Sequence, residues 1–265
     1  TGDQNFSLRL DSVLKVLDRK TEKYYYDLKV PYDTARLLSD EDPAYITIIQ
    51  AVNESLNLLD MRKEGSKEYY DSLEKAQEYI TKEFYEKHCD SEKSPVIYCV
   101  GHTHIDGAWL WTLRVTEDKA VRSFSTVLEL MKEYPEYVFM SSQPQLYKYV
   151  QKNAPEVYEQ IKERVKEGRW EPEGGMFVEA DCNIASGEAL VRQFVHGQRF
   201  FKEEFDADNS ILWLPDVFGY SAALPQIMQK CGLKYFMTTK ISWNEFNKMP
   251  CDTFEWEGID RSEER

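Results

Sequence analysis

Apolar residues change their rhythm about a third of the way along the chain. Before residue 95 they recur at helical spacing in a polar background: Leu10, Val13, Leu14 and Leu17, then Ile48, Val52, Leu56 and Leu59. Between Ser66 and His88, Tyr69, Leu73, Ala76, Tyr79, Ile80 and Phe84 share one helical face. This pattern predicts a helical region over residues 1–94, closed by the turn-like Asp90-Ser91-Glu92-Lys93-Ser94-Pro95. From Val96 onward, short apolar runs alternate with longer amphipathic stretches. Residues 96–100 read as a fully buried strand, followed by strand-like segments at 137–140, 169–172, 211–214, 235–237 and 254–258. Helices are expected at 117–133, 155–166, 188–204 and 224–230. Strands separated by helices of this length predict βα units and a parallel sheet, so the class is α/β, with a β/α region over 95–265.

Polar clusters gather where the apolar runs end. Residues 96–100 break into Gly101-His102-Thr103-His104-Ile105-Asp106-Gly107. Open α/β sheets and barrels place their chemistry at that end of their strands. Alternate residues of an extended chain point the same way, so His104 and Asp106 can offer an imidazole nitrogen and a carboxylate to one cation, and His102 shares their parity. Two of the four histidines thus fall within three positions. The segment Leu212-Trp213-Leu214-Pro215-Asp216-Val217-Phe218-Gly219 has the same grammar, and Asp216 would converge on the first cluster if the two strands share a sheet. Further polar groups follow other strands at Gln143 and Gln145, at Glu179 and Asp181, and at Lys240. Each also has a plainer reading. The His-x-His-x-Asp run can be a hydrogen-bonded loop, Asp216 can cap the helix after it, and Lys240 can be a surface lysine. Glu179 and Asp181 read as a solvated face. Trp109, Trp111, Phe218 and Tyr220 can be core residues, although rings beside polar groups also suit the apolar face of a sugar.

Charge and length narrow the functions. With 33 basic and 47 acidic residues the net charge is −14, which argues against nucleic acid as a partner. No apolar run reaches membrane-spanning length and the start lacks a signal-type apolar core, so a soluble cytoplasmic protein is expected. Five widely spaced cysteines without a Cys-x-x-Cys pair suggest neither a disulfide framework nor a thiolate zinc site.

The motifs GHTHIDGAWLW, SQPQ, EGGMFVEADCNIASGEALVRQF, LWLPDVFGYSAALPQIMQKCGLKYFMTTKISWN and FEWEG, in that order over about residues 95–260, resemble the amino-terminal half of the catalytic domain of glycoside hydrolase family 38, the retaining α-mannosidases. The likeness is greatest to the cytosolic and bacterial branch. It implies an incomplete seven-stranded β/α barrel of the glycoside hydrolase and deacetylase type, acting on mannose-containing oligosaccharides. It also implies a divalent metal, zinc or alternatively cobalt, on His104, Asp106 and Asp216, with Asp216 as nucleophile. His102 matches a histidine that is not a ligand. Trp109 and Phe218 match aromatic positions of the mannose subsite, and Lys240 a basic residue facing substrate. The family's acid/base and fourth ligand lie downstream, so the chain is expected to be a portion of a larger enzyme and inactive alone, with a homo-oligomer as one state open to the whole protein. A metal-dependent sugar deacetylase and a non-catalytic sugar-binding module are the competing readings.

Overall fold

The structure is a computed structural model that describes residues 12–89 and 96–264, and the chain divides into two compact units, Thr1–Ile97 and Tyr98–Arg265. Leu10 and the turn expected at 90–95 lie outside the described residues.

In the first unit, helices α1 (Arg19–Ala35), α2 (Pro43–Asn57) and α3 (Lys67–Ile80) are each started by a side-chain cap. Asp18 accepts from the Lys20 and Thr21 amides, Asp42 from Ala44, and Ser66 from Tyr69, satisfying amides that a helix leaves orphaned at its start. A π-helical stretch, Thr81–Cys89, continues α3. Tyr24 and Leu28 of α1, Ile48 and Val52 of α2, and Leu73, Ala76, Ile80 and Phe84 form the core. A buried polar chain stitches the three helices together: Tyr24 Oη donates to Ser55 Oγ (2.9 Å), which donates to the Ala76 carbonyl (2.8 Å).

Two expectations fail in this part of the chain. Residues 12–18 are not helical, and Val13 and Leu14 are 74% and 94% exposed. Asp18 caps a helix that begins after it, so the apolar spacing before it meets no partner surface. The run 96–100 is neither strand nor buried, with Ile97 82% and Tyr98 91% exposed. The strand there is only β1 (Gly101–His102), and it lies at the edge of its sheet, so no neighbour on that side covers the apolar residues leading into it.

The second unit alternates strands and helices. Parallel strands β1, β2 (Phe139–Ser141) and β3 (Trp170–Pro172) form one sheet in that order, and β4 (Ile211–Trp213) pairs in parallel with β5 (Tyr235–Met237). A parallel bridge between Gly174 and Leu212 joins the two, so the strands follow one another in chain order. Glu173 secures this joint, its carboxylate accepting from the Ile211 and Ser210 amides at 3.1 and 3.0 Å. Helices α4 (Leu113–Glu133), α5 (Pro144–Asn153), α6 (Pro155–Lys166), α7 (Gly187–Phe205) and α8 (Leu224–Lys230) fill the connections. A two-residue antiparallel hairpin, β6 (Trp256–Glu257) with β7 (Glu263–Glu264), ends the described chain.

Phe124 of α4, Phe139 of β2, Tyr147 of α5 and Trp170 of β3 are the centre of one core, with Phe139 and Trp170 rings 4.7 Å apart. Leu212, Leu214, Phe194, Leu224 and Met228 build the other around β4. Gly197 lets α7 lie directly on the segment after β3: a Cβ there would meet the Gly175 carbonyl oxygen at 2.5 Å. Among the described residues no pairing joins β5 back to β1, so the sheet is open.

Candidate metal centre

The carboxyl ends of β1 and β4 bring one imidazole and two carboxylates to a common point. After β1, Ile105 is 5% exposed and anchored in the core around Phe124, which leaves His104 and Asp106 on the opposite side of the extended chain. The loop is held to α4 by Thr116, whose hydroxyl donates to the Gly107 carbonyl at 2.6 Å and accepts from Trp111 Nε1. After β4, buried Leu214 and Val217 flank Pro215 and Asp216. Leu214 N donates to the Met237 carbonyl, Thr239 Oγ1 to the Pro215 carbonyl, and Tyr220 Oη to the Val217 carbonyl, fixing that turn against β5. Asp216 does not cap the following helix, whose N-cap is Ala223.

His104 Nε2 lies 2.8 Å from Asp106 Oδ1 and 3.4 Å from Asp216 Oδ2. One donor atom from each of the three residues falls within 4.8 Å of the others, and all three side chains are half-buried. The opposite ring nitrogen, Nδ1, is 2.7 Å from Glu179 Oε2, an approach close enough for an ion pair although bent away from ideal hydrogen-bond geometry. Burial alone would push the His104 pKa down, but the Glu179 and Asp106 carboxylates outweigh it and raise it to about 9. Without a metal the ring is therefore an imidazolium between acids.

His102 is not part of this group despite its parity. Its Nδ1 meets the Met140 carbonyl at 3.1 Å and its Nε2 accepts from Trp213 Nε1 at 3.2 Å, so both nitrogens are spent on the sheet. Burial pushes its pKa down, in keeping with a neutral ring. Lys240 is not a surface lysine: its side chain is 9% exposed and Nζ lies 2.5 Å from Asp216 Oδ1. The ammonium also sits 3.4 Å from the Trp243 ring centre and 4.6 Å from that of Phe218. Trp109 and Phe218 are 68% and 74% exposed, so neither is a core residue.

Glu179 corrects the expectation of a solvated acidic face. Its side chain is 3% exposed, with Ser142 Oγ donating to Oε1 at 2.8 Å, whereas Asp181 is exposed. Nothing in the local pattern around Glu179 marks it, because its partners lie some 37 residues earlier or more. A cleft of about 490 Å³ adjoins His104 and Asp106, walled by Trp111, Lys119 and Arg122, and another of about 660 Å³ lies between Asp181 and Phe218.

Residues 94–263 match the Glycosyl hydrolases family 38 N-terminal domain, and the chain belongs to that family. It is 40% identical over 260 residues to Alpha-mannosidase G of Dictyostelium discoideum and 39% identical over 249 residues to Alpha-mannosidase 2C1 of Homo sapiens. Those matches cover 98% and 94% of this chain but 23% of either relative, so the chain spans about a quarter of the length of the curated relatives it matches. An α-mannosidase of Enterococcus faecalis V583 shares the fold with a TM-score of 0.56 at 23% identity, over 62% of this chain and 19% of that one. No described helix is long and apolar enough to cross a membrane.

Proposed function

We propose that this chain supplies the metal-binding face and the nucleophile of a retaining α-mannosidase of the cytosolic branch, which removes terminal α-linked mannose from oligosaccharides, and that its open sheet is part of a seven-stranded β/α barrel. The observation that carries this reading is the convergence of Asp216 on His104 and Asp106 from a strand about 110 residues further on. Membership of family 38 and the names of the relatives support it.

The donor set suits a divalent cation. One imidazole and two carboxylates match zinc, with cobalt as the alternative, and the carboxylate on the far nitrogen of His104 is the usual companion of a metal-bound histidine. Such an ion would supply Lewis-acid contacts to neighbouring sugar hydroxyls. The remaining chemistry belongs to side chains. Asp216 attacks the anomeric carbon as a carboxylate, the role that retaining glycosidases give one of their two acids. Lys240 holds one oxygen of Asp216 by a charged contact, and exposed Phe218 and Trp109 offer rings to the apolar face of a hexose. Protonation of the leaving oxygen and the fourth metal position fall to residues that the family places downstream of the segment matched here.

Hydrolysis of 4-nitrophenyl α-mannoside by the full-length protein tests the reading. Activity should vanish on treatment with a chelator and return, at least in part, with zinc or cobalt. Release of acetate from an acetylated sugar without mannoside hydrolysis would replace it with a deacetylase, and chelator-insensitive mannoside binding without turnover would replace it with a binding module.

A further inference from the structure

The three carboxylates around His104 are divided between its two nitrogens. Asp106 and Asp216 face Nε2, while Glu179 alone faces Nδ1. A metal-bound imidazole must surrender the proton on one nitrogen and keep it on the other, and the partner of the second nitrogen decides which is which. We propose that Glu179 is a positioning residue of this centre: it keeps the proton on His104 Nδ1 and holds the ring so that the Nε2 lone pair points into the space shared by Asp106 and Asp216. This rests on the metal-centre reading above and adds a residue that touches neither metal nor sugar.

The surroundings of Glu179 suit that task. The side chain is 3% exposed and makes no ion pair with Lys or Arg among the described residues, so the His104 ring is the basic group that faces it. Its other oxygen is pinned by Ser142 Oγ (2.8 Å) and Gln143 Nε2 (3.4 Å), and Glu179 N donates to Gln143 Oε1 (3.4 Å). Gln143 Nε2 also donates to the carbonyl of Ile105, the residue between His104 and Asp106, at 3.1 Å. One glutamine amide therefore grips both the acid and the loop that carries the ligands. Gln143 does so from a left-handed backbone conformation, φ 62, which a non-glycine residue rarely adopts. Strain of this kind gathers where the surrounding structure imposes a geometry. The neighbouring His102 cannot compete for the role of ligand, since both its nitrogens are engaged by Met140 and Trp213.

The experiment uses the full-length protein and its Glu179→Gln variant, which keeps the size of the side chain, with His104→Ala as the ligand control. Zinc affinity is measured by competition with a chromophoric chelator, and the His104 tautomer by nitrogen-15 NMR of histidine-labelled zinc-bound protein. Altering the outer partner of a metal-bound histidine costs about 10- to 100-fold in affinity, and Glu179→Gln, which keeps an acceptor oxygen but removes the charge, should lose that much. Wild type should show the Nδ1–H form of His104, and the variant a shifted or mixed tautomer, a change that mere loosening of the fold would not produce. Wild-type zinc affinity in Glu179→Gln, or a wild-type His104 protonated on Nε2, overturns the positioning role while His104→Ala still loses zinc and the centre stands. If wild type itself takes up no zinc, the centre fails and the positioning role with it.

Discussion

Asp216 is held by two opposite devices. One oxygen faces the His104 ring and the other lies 2.5 Å from the Lys240 ammonium, which is itself enclosed by Phe218 and Trp243. An ion pair whose lysine is largely buried lies above the ~1 kcal/mol of exposed pairs, and about 1.5–3 kcal/mol corresponds to roughly 10- to 100-fold in rate if it is used in the transition state. Lys240→Met should therefore lower kcat/KM for an α-mannoside by about that factor while zinc stoichiometry stays the same. Zinc loss in parallel with activity would show that Lys240 instead supports the binding of metal. The triad residues were legible in the sequence because each follows an apolar run and stands near a glycine: His104 and Asp106 after 96–100, Asp216 after 211–214. Glu179 was not legible. Acids on loops are common, and only the long-range contacts with Ser142, Gln143 and His104 single it out.

At the scale of elements, the site depends on a joint between two sheets. Glu173 accepts amides from Gly174, Ser210 and Ile211, and the Gly174–Leu212 bridge continues the ladder beside it. Glu173→Ala leaves these partly buried amides unmatched and should cost about 1–3 kcal/mol in urea unfolding, whereas Glu173→Gln retains one acceptor oxygen and should cost less. Burial pushes the Glu173 carboxyl pKa up, with the amides pulling the other way. A folded pKa above the unfolded one gives stability at low pH that is lost as pH rises through the folded value. Wild type should thus gain on Glu173→Gln as the pH is lowered through the carboxylate range. An unfolding difference that ignores pH would place Glu173 outside the joint. The βα alternation was readable because β4 and β5 are short apolar runs and the stretches of α4 and α7 are longer and amphipathic. Helix α1 lies within the region expected to be helical but had no bounds of its own in the pattern, its sequence RKTEKYYYDLKVPYDTA having a polar surface and tyrosines in place of aliphatic residues. The misreadings at 12–17 and 96–100 share one cause: periodicity reports an apolar face, and burial needs a partner for it.

The chain divides into two units, a helical one with one core and an α/β one with two, and only the second carries the residues gathered at the strand ends. Its charge of −14 disfavours polyanionic ligands. Asp216 is proposed both to belong to the metal centre and to attack the sugar. Covalent trapping tests it directly: the full-length protein is incubated with a fluorinated mannosyl fluoride, digested, and the labelled peptide sequenced by mass spectrometry. The label should fall on Asp216 and be lost in Asp216→Asn. A label on another carboxylate, or steady mannoside turnover with no adduct, would contradict the assignment.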